Sequence, residues 1–172
     1  TATNLVGRIA GGAASNFGLL NGQSLVVDSY LASTGVTAGA AGVAHLRTTV
    51  GDLLQATGAT VTAGSLQAIA AGVMDLTAAT NAVGVVSGSA GTSFGLLSSG
   101  ALRIDAVTSF GTATNGITAG GGGGDIVNLH TSGNLTQAAG AAGVVTGTQL
   151  RLISTGGAVD LTAAPNGVSR IV

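Results

Sequence analysis

The amino-acid sequence predicts an all-β chain wound into a parallel β-helix, a β-solenoid of about eight coils with roughly 20 residues each. Three observations predict this fold class. The composition disfavours helices and a wide globular core, one unit of sequence occurs twice, and short strands with alternating apolar and polar residues return at a steady interval. Together they describe a narrow rod rather than a globular domain.

The composition excludes several classes of protein. Of 172 residues, 31 are Gly and 6% are charged, against about 25% charged residues in an ordinary domain. Since Gly costs about 1 kcal/mol in a helix interior, a helical fold is disfavoured. The net charge of -1 gives no basic surface for nucleic acid, and the absence of Cys excludes disulfides. The chain contains no run of about 18 apolar residues that would predict a membrane span.

One unit of sequence occurs twice and begins a third time. Residues 3–28 match residues 80–105 at 12 of 26 positions without a gap. We therefore divide the chain into solenoid unit 1 at residues 1–78, solenoid unit 2 at residues 79–163 and the start of a third unit at residues 164–172. The positions that mark corresponding points of the units are Asn4, Asn81 and Asn166, then Phe17 and Phe94, Asp28 and Asp105, and Asp75 and Asp160.

The repeated markers have structural interpretations. Asn tolerates a left-handed backbone, so we expect the repeated Asn to cap one turn in each unit. The repeated Phe is expected to fill a wider corner of the interior once per unit. Because the Asp residues recur in both units, whereas a catalytic pair is normally built once, we interpret them as structural or solvating groups. The additional residues of unit 2, in segments such as 111–114 and 120–124, are expected to form surface loops.

Short segments inside each unit alternate with a period of two. Residues 102–105, Leu-Arg-Ile-Asp, place two aliphatic side chains on one face and two charged ones on the other, and residues 127–130 repeat the pattern. Such segments return at an interval of roughly 20 residues, the period of a solenoid coil. Stacked coils would pair each strand in parallel with its equivalents about 4.8 Å above and below, which gives continuous aliphatic rows. A β-sandwich also has alternating strands, but it gives no reason for this interval.

Several of these motifs resemble the repeat regions of large bacterial adhesins of the filamentous-haemagglutinin type, which are exported by two-partner or autotransporter-type routes. The motifs that carry the resemblance are Asn81, Phe94–Leu97, Leu102–Asp105, Gly116–Gly120, Asn134–Gln137 and Leu150–Thr162. The resemblance covers essentially the whole chain. It implies a right-handed β-helix shaft that is secreted across the outer membrane and displayed on the cell surface.

The sequence contains candidates for a calcium site and for a zinc site, and neither pattern is complete. Residues 120–128 fit the calcium nonapeptide G-G-x-G-x-D-x-U-x, with Asp125 as the calcium candidate. That motif binds calcium when tandem copies converge on the ion, and here it occurs once, so we interpret it as a glycine loop. His45 and His130 occupy non-equivalent positions on the polar face and are expected to be solvated rather than zinc ligands. We expect no metal ion, no cofactor and no catalytic residue.

The sequence therefore predicts a non-enzymatic structural shaft of a secreted bacterial surface adhesin, extracellular fibre or biofilm matrix. Its expected partners are adjacent repeats of the same chain, or other copies that stack end to end or side by side in a filament. Two alternatives stay open. In the first, the polar face or the loops around Gly111–Asp125 bind a host or matrix glycan or protein. In the second, the chain is a carbohydrate-active β-helix enzyme with a pair of carboxylates.

Overall fold

The computed structural model describes residues 4–120, 122 and 124–172, and strands dominate it. The strands are β1 (Arg8–Ile9), β2 (Gly11–Gly12), β3 (Phe17–Asn21), β4 (Leu25–Val27), β5 (Ser29–Tyr30), β6 (Ser33–Thr37), β7 (Val43–Thr48), β8 (Leu53–Gln55), β9 (Thr60–Ala70), β10 (Met74–Ala90), β11 (Phe94–Ser98), β12 (Leu102–Ile104), β13 (Val107–Ser109), β14 (Thr112–Thr114), β15 (Ile117–Ala119), β16 (Ile126–Thr131), β17 (Leu135–Gln137), β18 (Val145–Ser154), β19 (Val159–Asp160) and β20 (Gly167–Ile171). A short 3₁₀ helix spans Gly140–Gly143. The predicted all-β class is confirmed, and no helix in the described ranges has the length and apolar character to cross a bilayer.

The main sheet is built from parallel pairs between strands that are distant in sequence. One row of directly paired residues runs through Leu25, Leu53, Met74, Phe94, Val127, Leu150 and Ile171. The longest step of this row along the chain, from Phe94 to Val127, contains the additional strands β13 and β14. Backbone hydrogen bonds therefore join segments that follow one another at a fairly regular interval.

Corresponding pairs in the two predicted units have the same register. Phe17 pairs with Ala44, and its counterpart Phe94 pairs with Val127. In the same way, β4 pairs with β8 and β12 pairs with β17. The repeated sequence produces a repeated ladder because the alternation of apolar and polar residues fixes which side chains face the interior. The unit boundaries after residues 78 and 163 stay a prediction.

Small aliphatic side chains fill most of the interior, and the aromatic ring of Phe94 is fully enclosed among them. Phe94 is 0% exposed, whereas its counterpart Phe17 is half-buried against the same core. The neighbouring strand provides room for the enclosed ring, because a Cβ at Gly88 would lie 2.7 Å from Cε2 of Phe94. Burial of a ring of this size stabilises the fold by roughly 2–3 kcal/mol.

The repeated Asn is a hydrogen-bond centre between strands, which corrects the expected turn cap. Asn81 lies inside β10 and is 0% exposed. Its Oδ1 accepts hydrogen bonds from the backbone N–H of Val61 at 2.7 Å and from Nε2 of Gln55 at 2.6 Å. Its Nδ2 donates to the carbonyls of Leu76 at 2.8 Å and Leu97 at 2.9 Å. An amide is stable in an apolar interior when its polar atoms are paired in this way.

The other copies of this Asn show parts of the same arrangement. Oδ1 of Asn166 accepts from the N–H of Val145 at 2.8 Å and from Nε2 of Gln137 at 2.6 Å. Asn4 is exposed, and its Nδ2 donates to the carbonyl of Leu20 at 3.0 Å. An Asn–Gln pair is therefore part of the repeated structure, because Gln137 ends its short strand as Gln55 does in the first copy.

Two short antiparallel hairpins leave the parallel sheet at corresponding points, β5–β6 in unit 1 and β13–β14 in unit 2. At each tip a residue other than Gly has a positive φ, 51° at Leu31 and 46° at Phe110. Residues 111–114, which were expected to form a surface loop, supply the turn and the second strand of the longer hairpin. That expectation is wrong because Thr112–Thr114 finds backbone partners in Val107–Ser109.

Candidate functional site

The carboxylates of Asp28 and Asp105 are engaged in matching local contacts. In each, Oδ1 accepts from the backbone N–H of the following residue, at 2.8 and 2.7 Å. The second oxygen forms an ion pair, with Arg8 in unit 1 and with Arg103 in unit 2. The N–H of Ser29, followed by the hydrogen bond from Arg8, holds the pKa of Asp28 below its usual value.

Asp75 and Asp160 form a second matching set. Oδ1 of each accepts from both the backbone N–H and the hydroxyl of the Thr two residues ahead, Thr77 and Thr162. The hydroxyl of Thr162, and then its N–H, lowers the pKa of Asp160. Each carboxylate therefore holds the backbone immediately after its strand residue, which is a structural use of an Asp side chain.

Asp125, the calcium candidate, also bonds the backbone of its own segment. It is 8% exposed, and its Oδ2 accepts from the N–H of Gly122. Gly121 and Gly123 lie outside the described residues, so the interpretation of residues 120–124 as a glycine loop stays a prediction. Within the part of the chain that the structure describes, no group of three His, Cys, Asp or Glu side chains is placed to hold a metal ion.

His45 is buried, which corrects the expectation that it would be solvated. The residue is 6% exposed, and its ring centroid lies 5.9 Å from that of Phe110 at an interplanar angle of 73°, an edge-to-face contact. Burial, and after it the charge of Arg47, lowers the pKa of the His45 imidazole. The cause is a cover that no local pattern predicts, the β13–β14 hairpin. His130 is half-buried in its strand.

The β13–β14 hairpin lies across the polar face of unit 1, and we call Val107–Thr114 the strap. Its anchor is the fully buried Gln67. Nε2 of Gln67 lies within hydrogen-bond distance of the carbonyls of Val107 and Thr112, at 2.9 and 3.0 Å, and of Oγ1 of Thr114 at 2.8 Å. Gln67 belongs to a register row that we call the strapped row, which consists of Gly18, His45, Gln67 and Ser87.

The tip of the strap rests on a glycine. Ring atoms of Phe110 occupy the space that a Cβ at Gly18 would need. The two residues border a cavity of about 150 Å³ together with His45. Phe110 stays 68% exposed on its outer side. The contact between Gly18 and Phe110 therefore joins β3 of one predicted unit to the longer hairpin of the other.

Four polar atoms in the strapped row and the strap are buried without a hydrogen-bond partner among the described residues. They are Nδ1 of His45, Oε1 of Gln67, Oγ of Ser87 and Oγ of Ser109. An unpaired buried polar atom costs about 1–3 kcal/mol. The strap is therefore held less firmly than the ladder beneath it, and we expect it to open locally before the sheet unfolds.

Unit 2 carries the corresponding row, and its outer end is open to solvent. Gly95 pairs with Asn128, and Asn128 pairs with Arg151; we call these three residues the open row. In the repeated ladder Gly95 corresponds to Gly18 and Asn128 to His45. Arg151 is exposed, and its Nη1 donates to Oδ1 of Asn128 at 3.2 Å.

Gly95 itself is buried, and the side chains of Asp75 and Thr77 lie over it where the ring of Phe110 lies over Gly18. A cavity of about 120 Å³ borders Gly95 and Asn128 and is lined on its other sides by residues that include Asp75 and Thr77. The nearest atoms to a Cβ built at Gly95 would be Oδ1 of Asp75 and Cγ2 of Thr77, both at 3.2 Å. The two side chains are held there by the hydrogen bonds from the N–H and the hydroxyl of Thr77 to Oδ1 of Asp75.

Another open cavity, of about 260 Å³, lies between β1 and the β5–β6 hairpin. Tyr30 contributes an aromatic side chain that is 72% exposed, and the Arg8–Asp28 ion pair lies beside it. An exposed ring next to paired charges offers both stacking and polar contacts to a small polar ligand.

Sequence reasoning missed the residues that hold the strap and the Gln partners of the repeated Asn. A signal existed for the Gln residues, because Gln55 and Gln137 occupy corresponding positions of the two units. Gln67 and Phe110 carried no such signal. Gln67 has Arg151 as its counterpart, and Phe110 directly precedes residues 111–114, which are among the additional residues of unit 2.

No protein-family model, no curated protein and no solved structure matches this chain.

Proposed function

We propose that this chain is a structural shaft segment of a secreted bacterial surface protein of the filamentous-haemagglutinin-like type, wound as a right-handed parallel β-helix. Its function in this proposal is mechanical and non-enzymatic, since it holds other parts of the parent protein at a distance from the cell. The observation that carries the proposal is the repetition of one ladder register in both units, which places aliphatic residues over aliphatic residues.

Parallel rows suit a shaft because their hydrogen bonds act between successive levels of the stack. The row from Leu25 to Ile171 joins each level to the next through backbone bonds, and its side chains are buried from Leu25 as far as Leu150. The Asn–Gln pairs, buried at Asn81 and half-buried at Asn166, add side-chain bonds between residues 26 and 29 positions apart. Units of this type can be added without the need for a larger core.

The contacts of the repeated carboxylates support a non-enzymatic role. Asp28, Asp75, Asp105 and Asp160 each accept a hydrogen bond from a backbone N–H one or two residues ahead. A glycoside hydrolase instead directs two carboxyl groups, about 5–9.5 Å apart, at its substrate. Recurrence of the same bonds in both units is expected of groups that hold the backbone.

Solution X-ray scattering tests the shaft. We expect the profile of a rod, and we expect each additional copy of residues 79–163 inserted in tandem to lengthen it by about 14–19 Å, which corresponds to three to four levels of about 4.8 Å. The cross-section should stay constant. A particle that instead thickens in all directions as copies are added would contradict the proposal. Far-UV circular dichroism of each protein checks that the strand content per unit is unchanged.

The cavity beside Tyr30 favours a second candidate function, a module that binds a glycan or a protein ligand. A glycan array probed with the chain and with its Tyr30→Ala variant tests this candidate. Binding that is lost in the variant supports a module, whereas binding by neither protein, or equal binding by both, speaks against a ligand site at this cavity. Leu5→Ala, at a residue that is 73% exposed, is a matched control for loss of apolar surface.

A further inference from the structure

We propose that the cavity under the tip of the strap is a binding site for a small aromatic carboxylate, a molecule with one ring and one carboxylate group. Gly18, Leu20, His45 and Phe110 border this cavity, and Arg47 is the register partner of Leu20. The proposal goes beyond the shaft function because it assigns a ligand to the chain. It depends on the contacts around the strap and holds whether or not the chain is secreted.

The walls of the cavity are mostly apolar. The ring of Phe110, the backbone of Gly18 and two leucines, Leu19 and Leu20, border a volume of about 150 Å³. An apolar cavity of this size holds one benzene-sized ring. Phe110 already contacts one ring edge to face, that of His45, and an aromatic ligand can pack against it in the same manner. The cavity therefore fits a ligand with a single ring.

One polar group in the wall of the cavity lacks a partner. His45 is 6% exposed, and its Nδ1 forms no hydrogen bond among the described residues. Its neighbours Ala44 and Leu46 are 0% exposed in the core, so the imidazole lies on the opposite face of the strand, under the strap. Buried polar atoms are normally paired, and the described chain supplies no partner for this one. A ligand oxygen in the cavity would fill that role.

The next outward residue of the same strand supplies a cation. Arg47 lies between Leu20 and Ile69 in the register, and its Nε is buried without a partner in the described ranges. The ion pairs found among those residues use other arginines. Burial, and after it the charge of Arg47, lowers the pKa of the His45 imidazole, so the two groups are within electrostatic reach of each other. An anion placed beside His45 is therefore attracted by Arg47 as well.

A carboxylate would satisfy both groups at once. One oxygen can accept from the N–H of the His45 imidazole and the other from the guanidinium of Arg47, and hydrogen bonds between charged groups are stronger than neutral ones. An uncharged alcohol would leave Arg47 unpaired, and an anion without a ring would leave the apolar walls uncovered. Apolar walls with a few convergent polar groups are typical of small-molecule sites.

A calorimetric titration of the chain with sodium benzoate tests the proposal. We expect saturable binding at one site per chain. Acetate lacks the ring and benzyl alcohol lacks the charge, so each should bind at least about tenfold more weakly than benzoate. Equal affinity for benzoate and either of these two compounds, or no saturable binding of benzoate, would overturn the proposal.

Two variants assign the binding to the cavity. His45→Phe keeps an aromatic ring under the strap and removes both nitrogen atoms, whereas Arg47→Met keeps an apolar stem and removes the charge. Each should weaken benzoate binding about tenfold or more. His130→Phe and Arg151→Met make the same exchanges at residues outside the cavity and should bind benzoate like the unmodified chain. Unchanged affinity in His45→Phe or in Arg47→Met would contradict the site.

Hydrogen exchange of the amides of residues 107–114 gives a second measurement. Bound benzoate should slow this exchange in the unmodified chain, because the ligand packs against Phe110 and binds the closed strap. Benzoate that binds without slowing the exchange lies elsewhere, which would also overturn the proposal. Urea unfolding checks that the sheet of each variant is intact. If the strap of His45→Phe is open without ligand, Arg47→Met decides the outcome.

Discussion

Units 1 and 2 share one ladder, but they differ in what covers their polar faces. The pairs Phe17–Ala44 and Phe94–Val127 occupy the same place in the register. In unit 1 the strap buries His45, whereas in unit 2 the corresponding Asn128 is half-buried. The register therefore constrains the residues that face inward, whereas the outward residues are free to differ.

Interior positions are constrained because each inward side chain packs against residues of the paired strands on both sides. A change in one strand is transmitted to both neighbours, since a close-packed interior has little free space. Outward positions have no such neighbours unless an added segment covers them. Gln67 in unit 1 and Arg151 in unit 2 are therefore different residues at one position of the repeat.

The largest difference between corresponding positions is expected at the repeated Phe. Phe94→Ala should lower the free energy of unfolding by about 3–5 kcal/mol, because the fully enclosed ring leaves a cavity beside Gly88. Phe17→Ala should cost about 1–2 kcal/mol, because Phe17 is half-buried. Urea unfolding followed by circular dichroism measures both. Equal losses at the two positions would show that the units do not differ in the interior as described.

The repeated Asn gives the next largest difference. Asn81→Ala should lower the free energy of unfolding by about 3 kcal/mol, because the N–H of Val61 and the carbonyl of Leu97 lose their partners in the interior. The matched variant Asn4→Ala removes one bond at an exposed position and should cost less than about 1 kcal/mol. The same denaturant titrations separate the two. A small effect at Asn81 would contradict its role as a buried hydrogen-bond centre.

A pair of glycine variants tests the strap itself. Gly18→Val should displace Phe110 and open the strap, at a cost of about 1–3 kcal/mol, because the new side chain occupies the space of the ring. Gly95→Val should leave the strap closed, since the atoms nearest to that position belong to other segments. Hydrogen exchange of the amides of residues 107–114 is the measurement. Rapid exchange in the first variant and protection in the second is the expected result, and the reverse pattern would refute the placement of the tip over Gly18.

Acid should loosen the strap while the ladder stays intact. Burial lowers the pKa of His45, so the folded state disfavours the protonated form. The stability associated with neutral His45 is therefore present above the unfolded pKa of about 6.5 and is lost as the pH falls through the lower folded value. The groups that face His45 from the packed elements, Gly18, Gln67 and Phe110, carry no charge, and Arg47 on the same strand adds repulsion.

Hydrogen exchange of the strap between pH 7.5 and pH 5, corrected for intrinsic rates, measures this effect. Faster opening at the lower pH is expected in the unmodified chain and in His130→Gln. His45→Gln should remove the dependence, because its side chain does not titrate. Equal pH dependence in all three proteins would assign the effect to another group.

The strand rows could be predicted from the sequence because their signals are local or repeated. Alternation at residues 102–105 and 127–130 predicts which side chains face inward, and the structure places Leu102, Ile104 and Val127 in the core. The pairing of Asn81 with Gln55 could also have been inferred from the second copy of both residues. The predicted turn cap failed because the intrinsic preference of Asn for turns was outweighed by four paired partners inside the sheet.

The strap could not be predicted, for a different reason. Its segment is rich in Gly, Thr and Ala, and such a composition is equally compatible with an exposed loop. The segment packs as a hairpin because it bonds to Gln67. Gln67 lies 40 to 47 residues before its partners, in a strand that resembles the others. His45 is buried because the strap lies over it with Phe110 against its ring, so the expectation of a solvated ring had no local signal against it.

Because Gly18 and Phe110 are far apart along the chain, we expect the strands around Gly18 to pair before the strap packs onto them. In the row from Leu25 each strand pairs with a segment that soon follows it, so a new strand can zip onto the last as it becomes available, for example while a nascent chain leaves a ribosome or an export pore. The ring of Phe110 arrives only after β3 to β13 have been made. His45 is therefore exposed to solvent when the early strands have formed, and it becomes buried when the strap later packs over it.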